Sequence, residues 1–195
     1  MKGKNYANRK PESERPLNDF YPTPSCMVKE LVESNFFPDS NDTKIFDPCC
    51  GKYAIGNVLR DYGYKRITET DIIYGQNFLE MTNPPEPIFD VVIMNPPFRL
   101  FDKFVEKAKF FANNVYCIGK LNYFGGHSRN VNGLWHNLQM VLPFDRQIAF
   151  DKPEIDGKVE CGMMITGWFI WDKDCNGLPQ IKVLDMQKYI RKKSK

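Results

Sequence analysis

Asn95-Pro96-Pro97-Phe98 is the stretch whose residue types point most directly to chemistry. Two successive prolines fix φ twice and remove two backbone donors, so the carbonyls of Asn95 and Pro96 are available to a ligand instead of a strand ladder. Asn95 adds a side-chain carbonyl acceptor, and Phe98 adds a flat apolar face. Such a group suits a planar ligand carrying an NH2, and an exocyclic adenine amine meets that description. The same four residues also suit a turn that merely ends a strand. A second candidate is Asp71, 24 residues after Asp47 at the end of the run Tyr64 to Asp71. An acid at the end of a second strand accepts hydrogen bonds from both hydroxyls of a ribose; Glu69 is the next choice.

These residues need elements to carry them. Phe89 to Met94 is an apolar, β-branched run that predicts a buried strand feeding the Asn95 turn. Lys44 to Phe46 predicts a short strand ending in the loop Asp47-Pro48-Cys49-Cys50-Gly51, with a helix through Val58 and Leu59 that stops at Gly63. Upstream, Thr23 is placed to cap a helix whose first position is Pro24 and whose apolar face is Met27, Val28, Leu31 and Val32. Its free N-terminal amides suit a carboxylate. After the turn, Phe101, Phe104, Val105, Ala108, Phe111 and Ala112 recur at helical spacing, a core stripe and not a base-stacking platform. Val115 to Ile118 predicts the next strand. A Gly-containing loop follows over Lys120 to Asn130, then a short helix around Leu134, Trp135 and Leu138. A strand at Arg146 to Phe150 and a last strand at Met163 to Trp171 complete the order. Strands alternating with helices predict an α/β, doubly wound sheet with ligands at the carboxyl ends of its strands.

Composition bounds the alternatives. A chain of 195 residues is about one domain long. Its apolar fraction of 42% is ordinary, no run reaches the length of a membrane span, and the start lacks a signal-peptide core. A cytoplasmic protein is expected. The six cysteines show no CxxC spacing and only two histidines accompany them, so buried free thiols are expected and no metal site. Net charge is +3, of which residues 1–20 hold +2 and residues 188–195 hold +5, leaving −4 on the body. Basic ends can supply phosphate contacts without sequence preference. The expected divisions are a flexible polar arm over 1–18, a catalytic domain over 19–187 and a basic tail over 188–195.

Asn95 to Phe98 resembles the Asn/Asp-Pro-Pro-Tyr/Phe signature of S-adenosylmethionine-dependent amino-methyltransferases. The order of motifs is similar to that of DNA adenine-N6 methyltransferases, chiefly compact phage or prophage forms, over roughly residues 19–175. The resemblance implies a Rossmann-like, mostly parallel seven-stranded sheet with a C-terminal antiparallel hairpin, S-adenosylmethionine as cofactor, and a nucleic-acid partner, DNA before RNA. It implies cofactor contacts from Tyr21 and Thr23 at the methionine end, Asp47 on the methionine amino group, Gly51 in close backbone approach, Asp71 on the ribose, and Asn77 on the purine amine. Asn95, Pro96 and Phe98 are implied as the catalytic set, with Phe150 offering a second aromatic face. Two positions depart from the pattern: Tyr53 stands where the loop has its second glycine, so that a side chain narrows the pocket or the loop takes another course, and Asn77 replaces an acid. The alternatives are methylation of RNA adenine or of a protein glutamine amide, or a catalytically silent nucleic-acid-binding relative. Pro48-Cys49 also resembles the nucleophilic Pro-Cys of cytosine C5 methyltransferases, but it lies in the cofactor loop.

Overall fold

The computed structural model describes residues 21–191. The expected polar arm and residues 192–195 of the basic tail lie outside the described residues. Four helices, α1 (Ser25–Glu33), α2 (Ala54–Asp61), α3 (Phe101–Phe111) and α4 (His127–Val131), accompany seven strands. The strands are β1 (Ile45–Asp47), β2 (Ile67–Glu69), β3 (Phe89–Met94), β4 (Ala112–Lys120), β5 (Leu138–Pro143), β6 (Thr166–Asp172) and β7 (Gln180–Ile181). They form one sheet in the order β2-β1-β3-β4-β6-β5-β7. β1 pairs in parallel with β2 and β3, and β3 with β4. β6 runs antiparallel between β4 and β5, and β7 lies parallel to β5. The chain therefore turns one way from β1 to β2 and the other from β1's far side at β3. That reversal opens a crevice at the carboxyl ends of β1 and β3.

Alternation along β3 divides the core. Val91 and Ile93 face one cluster with Met27 and Leu31 of α1 and Val58 and Leu59 of α2. Val92 and Met94 face the other, with Phe101, Phe104, Val105, Ala108 and Phe111 of α3. From Val91 to Met94 the strand is buried on both faces and has no polar position, hence the apolar run in the sequence. Each fully buried side chain of this size contributes roughly 1.5–3 kcal/mol by leaving water. The α3 stripe is core, as its spacing indicates. The two buried indoles of β6 are anchored at their polar ends: Trp168 Nε1 donates to the Met27 carbonyl and Trp171 Nε1 to that of Leu134, each at 3.0 Å.

Several expected elements are displaced. The strand expected at Arg146–Phe150 is absent there; only an isolated bridge joins Ile148 to Cys161. Its place beside β6 is taken by β5, which begins at Leu138, the last residue of the short helix expected around Leu134, Trp135 and Leu138; residues 132–137 form turns instead. Leu138, Val141 and Leu142 are buried, and cross-strand pairing with β6 overrides any helical preference. Gly167 permits that pairing, since a Cβ there would lie 2.5 Å from the Leu142 carbonyl oxygen. The last strand begins at Thr166, three residues later than expected. Within the loop expected over Lys120 to Asn130, Leu121–Gly125 form a 3-10 turn and α4 begins at His127. Lys188, expected in the basic tail, pairs with Glu30 and Glu33 of α1 at 2.8 and 2.7 Å.

Candidate active site

Because β1 and β3 are neighbours paired at Phe46 and Val92, the loop after Asp47 and the turn at Asn95 emerge side by side. Between them lies a cavity of about 230 Å³. Seven of the nine residues expected at the site line it: Tyr21, Thr23, Asp47, Gly51, Asp71, Asn77 and Asn95. Pro96 and Phe98 do not, although Pro97 does.

Asn95 is held by its nitrogen. Its Nδ2 donates to Thr23 Oγ1 at 3.1 Å and to the Tyr21 carbonyl at 3.4 Å. Both amide protons are thereby directed at residues 21–23, which leaves Oδ1 as the acceptor still open to the cavity. Thr23 is not the cap that its position suggests. Pro24 occupies the N-cap of α1 without a side-chain cap bond, so the Thr23 hydroxyl is available to Asn95. The free amide of α1 is taken instead by a distant carboxylate: Ser25 N donates to Glu154 Oε2 at 2.7 Å, and Ser25 Oγ to Glu154 Oε1 at 2.5 Å.

Asp47 is 1% exposed. Its Oδ1 accepts from Cys49 N at 3.1 Å, while Oδ2 is buried with no hydrogen-bond partner. Burial pushes this carboxyl well above the usual carboxylate range, and the nearby Glu69 and Asp71 push in the same direction. A buried, unpartnered acceptor on a cavity wall is the natural counterpart of an ammonium. The methionine amino group expected there fits it.

Asp71 holds the two loops together. Its Oδ2 accepts from Gly51 N at 2.8 Å and its Oδ1 from Ile73 N at 2.9 Å. Gly51 has φ +52, a left-handed conformation that glycine adopts without strain. Glu69, the second choice for the ribose, is ion-paired with Arg60 and is not among the cavity residues. Asn77 lines the cavity, but its amide is also used locally: Oδ1 accepts from Leu79 N at 3.2 Å and Nδ2 donates to Glu80 at 2.7 Å.

Tyr53 keeps the glycine-like backbone, with φ +62. Its ring does not narrow the cavity. It stacks on Tyr74, 5.5 Å between centroids at 12°, and Tyr74 Oη donates to the Gly51 carbonyl at 2.9 Å. Phe98 sits beside the cavity. Phe150 meets its ring edge-on at 5.9 Å, and Lys120 Nζ lies 4.6 Å from its centroid. Tyr123 Oη donates to the Phe98 carbonyl at 2.9 Å. Phe150 is itself buried, a core ring that fixes Phe98 and not a second exposed face.

The cysteines are free, but not all are buried: Cys161 is exposed. Burial pushes the thiols of Cys49 and Cys117 well up, which keeps the thiolate needed by a nucleophile out of reach. Among the described residues no cluster of three His, Cys, Asp or Glu side chains could hold a metal ion, and no helix is long and apolar enough to cross a membrane. Three features escape sequence reasoning. Arg99, exposed on the cavity wall, is flagged only by standing next to the motif. Ile72 and Ile73, also on the wall, belong to no quoted motif. Glu154 lies 129 residues from Ser25, with no local signal.

No family model matches the chain, and no curated protein matches it in sequence. Solved structures do match. A methyltransferase subunit of a type I restriction-modification system from Streptococcus thermophilus superposes with a TM-score of 0.59 at 13% identity, over 89% of this chain and 49% of its own. A provisionally assigned RNA methyltransferase from Pyrococcus horikoshii gives 0.53 at 15%, over 85% and 91%. A provisionally assigned class I S-adenosylmethionine-dependent methyltransferase from Listeria monocytogenes gives 0.52 at 14%, over 87% and 66%. This chain thus spans about half the length of the restriction-modification subunit. At 13–15% identity the likeness is one of architecture: the chain shares the Rossmann-like α/β fold of these structures, with its cavity at the crevice between β1 and β3.

Proposed function

We propose that the protein transfers a methyl group from S-adenosylmethionine to the exocyclic amine of adenine in DNA. The observation that carries this reading is the pairing of two acceptors on one cavity. Asn95 Oδ1 is left open by the fixing of Nδ2, and Asp47 Oδ2 is buried without a partner. The first suits an NH2 acceptor and the second an ammonium. Thr23 and Tyr21 flank the methionine end, Gly51 and Asp71 the ribose, and Asn77 the purine. The cofactor would supply an electrophilic methyl on a positively charged sulfur that leaves as a neutral thioether, and the methylated amine gives up one proton to solvent.

The chain's own residues then do the rest. The adenine amine is a poor nucleophile because its lone pair is delocalised into the ring. Asn95 Oδ1 and the Pro96 carbonyl accept its two N–H bonds, draw the nitrogen toward tetrahedral geometry and aim its lone pair at the cofactor side of the cavity. Among the described residues no backbone donor is bonded to the Pro96 carbonyl. Phe98 supplies a stacking face for a base that has left the duplex. Extrusion costs a few kcal/mol, of which stacking returns about 1–3 kcal/mol. The names of the structural relatives, one a methyltransferase subunit of a restriction-modification system and one a provisionally assigned RNA methyltransferase, leave both acceptors in play, and fold alone does not choose between them. The adenine-type Phe in the last motif position favours a base over a glutamine amide.

Incubation with labelled cofactor, separation of DNA, RNA and protein acceptors, and digestion of the labelled fraction tests the reading. N6-methyladenine from DNA is expected. Label confined to RNA or to protein overturns the acceptor, and no cofactor binding by calorimetry overturns the enzyme in favour of a silent relative.

A further inference from the structure

The connection between β5 and β6, residues 144–165, returns to the sheet at the pocket edge, because Thr166 pairs with Lys120 at the carboxyl end of β4. Two of its residues touch the catalytic turn and the segment that holds it. Phe150, 4% exposed, packs edge-on against Phe98. Glu154 grips Ser25 by its N–H and its hydroxyl together, two charge-assisted bonds to one residue. Ser25 is two residues from Thr23, whose hydroxyl holds Asn95. The link between them is short and stiff, because Pro22 and Pro24 flank Thr23 and each fixes its own φ. A shift of Ser25 is therefore passed to Thr23 with little slack.

We infer that Glu154 is a positioning residue for methyl transfer: through Ser25 and the Pro22-Thr23-Pro24 lever it sets the orientation of Asn95 in the cavity. Simple capping of α1 would require only an acceptor on the helix amide. The second bond, to the serine hydroxyl, fixes Glu154 against the residue that starts the lever.

The inference rests on the proposed activity, and the test separates the two. With full-length protein, labelled cofactor and adenine-containing DNA, Glu154→Ala is expected to lower kcat about three- to tenfold, the loss that goes with giving up the one Thr23–Asn95 hydrogen bond it holds in place. Cofactor Kd is expected to stay within about twofold, since Glu154 is not among the residues lining the cavity. Glu154→Gln, which keeps one acceptor oxygen and guards against loss of folding, is expected to lose less. On a Thr23→Val background, Glu154→Ala is expected to cost little more, because both act through Asn95. Independently of turnover, the side-chain amide resonances of Asn95, identified as the pair missing in Asn95→Ala, are expected to move in Glu154→Ala. Unmoved resonances with unchanged kcat overturn the inference, as does a parallel loss of kcat, cofactor affinity and Tm. Moved resonances in a wild-type protein that methylates nothing leave the coupling standing and overturn the activity.

Discussion

The two walls of the cavity are built on opposite principles. On the β3 wall, Asn95 has its nitrogen satisfied by Thr23 and Tyr21 and its oxygen left open, so the turn is organised before anything binds. On the β1 wall, Asp47 is buried with one oxygen unpartnered and its carboxyl pushed up, so the wall carries an electrostatic cost until a cation arrives. The difference teaches how the work is divided: one wall is prepared for geometry, the other for charge. Preorganised acceptors cost no rearrangement at the moment of reaction, whereas an unmet buried acceptor costs about 1–3 kcal/mol and is relieved by its ligand.

The largest expected effect breaks the β3 wall alone. Asn95→Ala removes the open acceptor, and methyl transfer measured with labelled cofactor should fall about 10²–10³-fold or more, the scale seen for loss of one preorganised polar group. Cofactor affinity by calorimetry should change little. Normal turnover in this variant would place the chemistry elsewhere.

Next comes the β1 wall. Asp47→Asn removes the charge but keeps the shape. Cofactor affinity should drop about 10²-fold, since a charge-assisted bond is worth about 1.5–3 kcal/mol, while the ligand-free protein gains thermal stability at neutral pH. The sign follows from linkage. A carboxyl whose folded pKa lies above its unfolded value of about 3.9 binds more protons in the folded state. Its stabilising contribution is complete below the unfolded pKa and is lost as pH rises through the raised folded one. Thermal melts of wild type minus Asp47→Asn against pH should show that decline. Cofactor affinity should move the opposite way, rising with pH as Asp47 ionises.

How much of this was legible differs between the walls. The β3 run and the Asn95 turn are continuous in sequence, and two-sided burial and proline stiffness leave a direct mark there. Asp47, Gly51 and Asp71 were legible as types at strand ends. Their bonding was not, because whether Oδ2 of Asp47 finds a donor depends on which backbone amides turn toward it. β5 was misplaced because Leu138 to Pro143 becomes a strand only through pairing with β6, and Glu154 was invisible because its partner lies 129 residues away. Tyr53 departs from the expected glycine, yet its ring turns to Tyr74 and not into the cavity.

A smaller effect sharpens the β3 side. Thr23→Val keeps the shape and deletes the hydroxyl that accepts from Asn95 Nδ2. The Tyr21 carbonyl remains as the second anchor at 3.4 Å, so Asn95 is loosened and not released. A loss of one neutral hydrogen bond of about 0.5–1.5 kcal/mol corresponds to about a three- to tenfold fall in kcat, with cofactor Kd rising by less than that because Thr23 also lines the cavity. An equal loss in both would show that Thr23 serves the β1 wall through the cofactor and not through Asn95.

The smallest expected effect lies at Tyr53, where the two walls' logic predicts near-cancellation. A left-handed conformation costs a residue with a Cβ roughly 1–2 kcal/mol, and Tyr53→Gly relieves that at φ +62. The same change deletes the stack on Tyr74, worth about 0.5–1.5 kcal/mol, and adds backbone entropy to the unfolded chain. The balance by urea unfolding should be within about 1 kcal/mol of zero. Cofactor affinity should shift by less than about threefold, because the ring is outside the cavity and the loop is held by Gly51 N on Asp71. A tenfold gain in affinity would show instead that the tyrosine obstructs the pocket, and the β1 wall would then be shaped by its loop and not by the charge on Asp47.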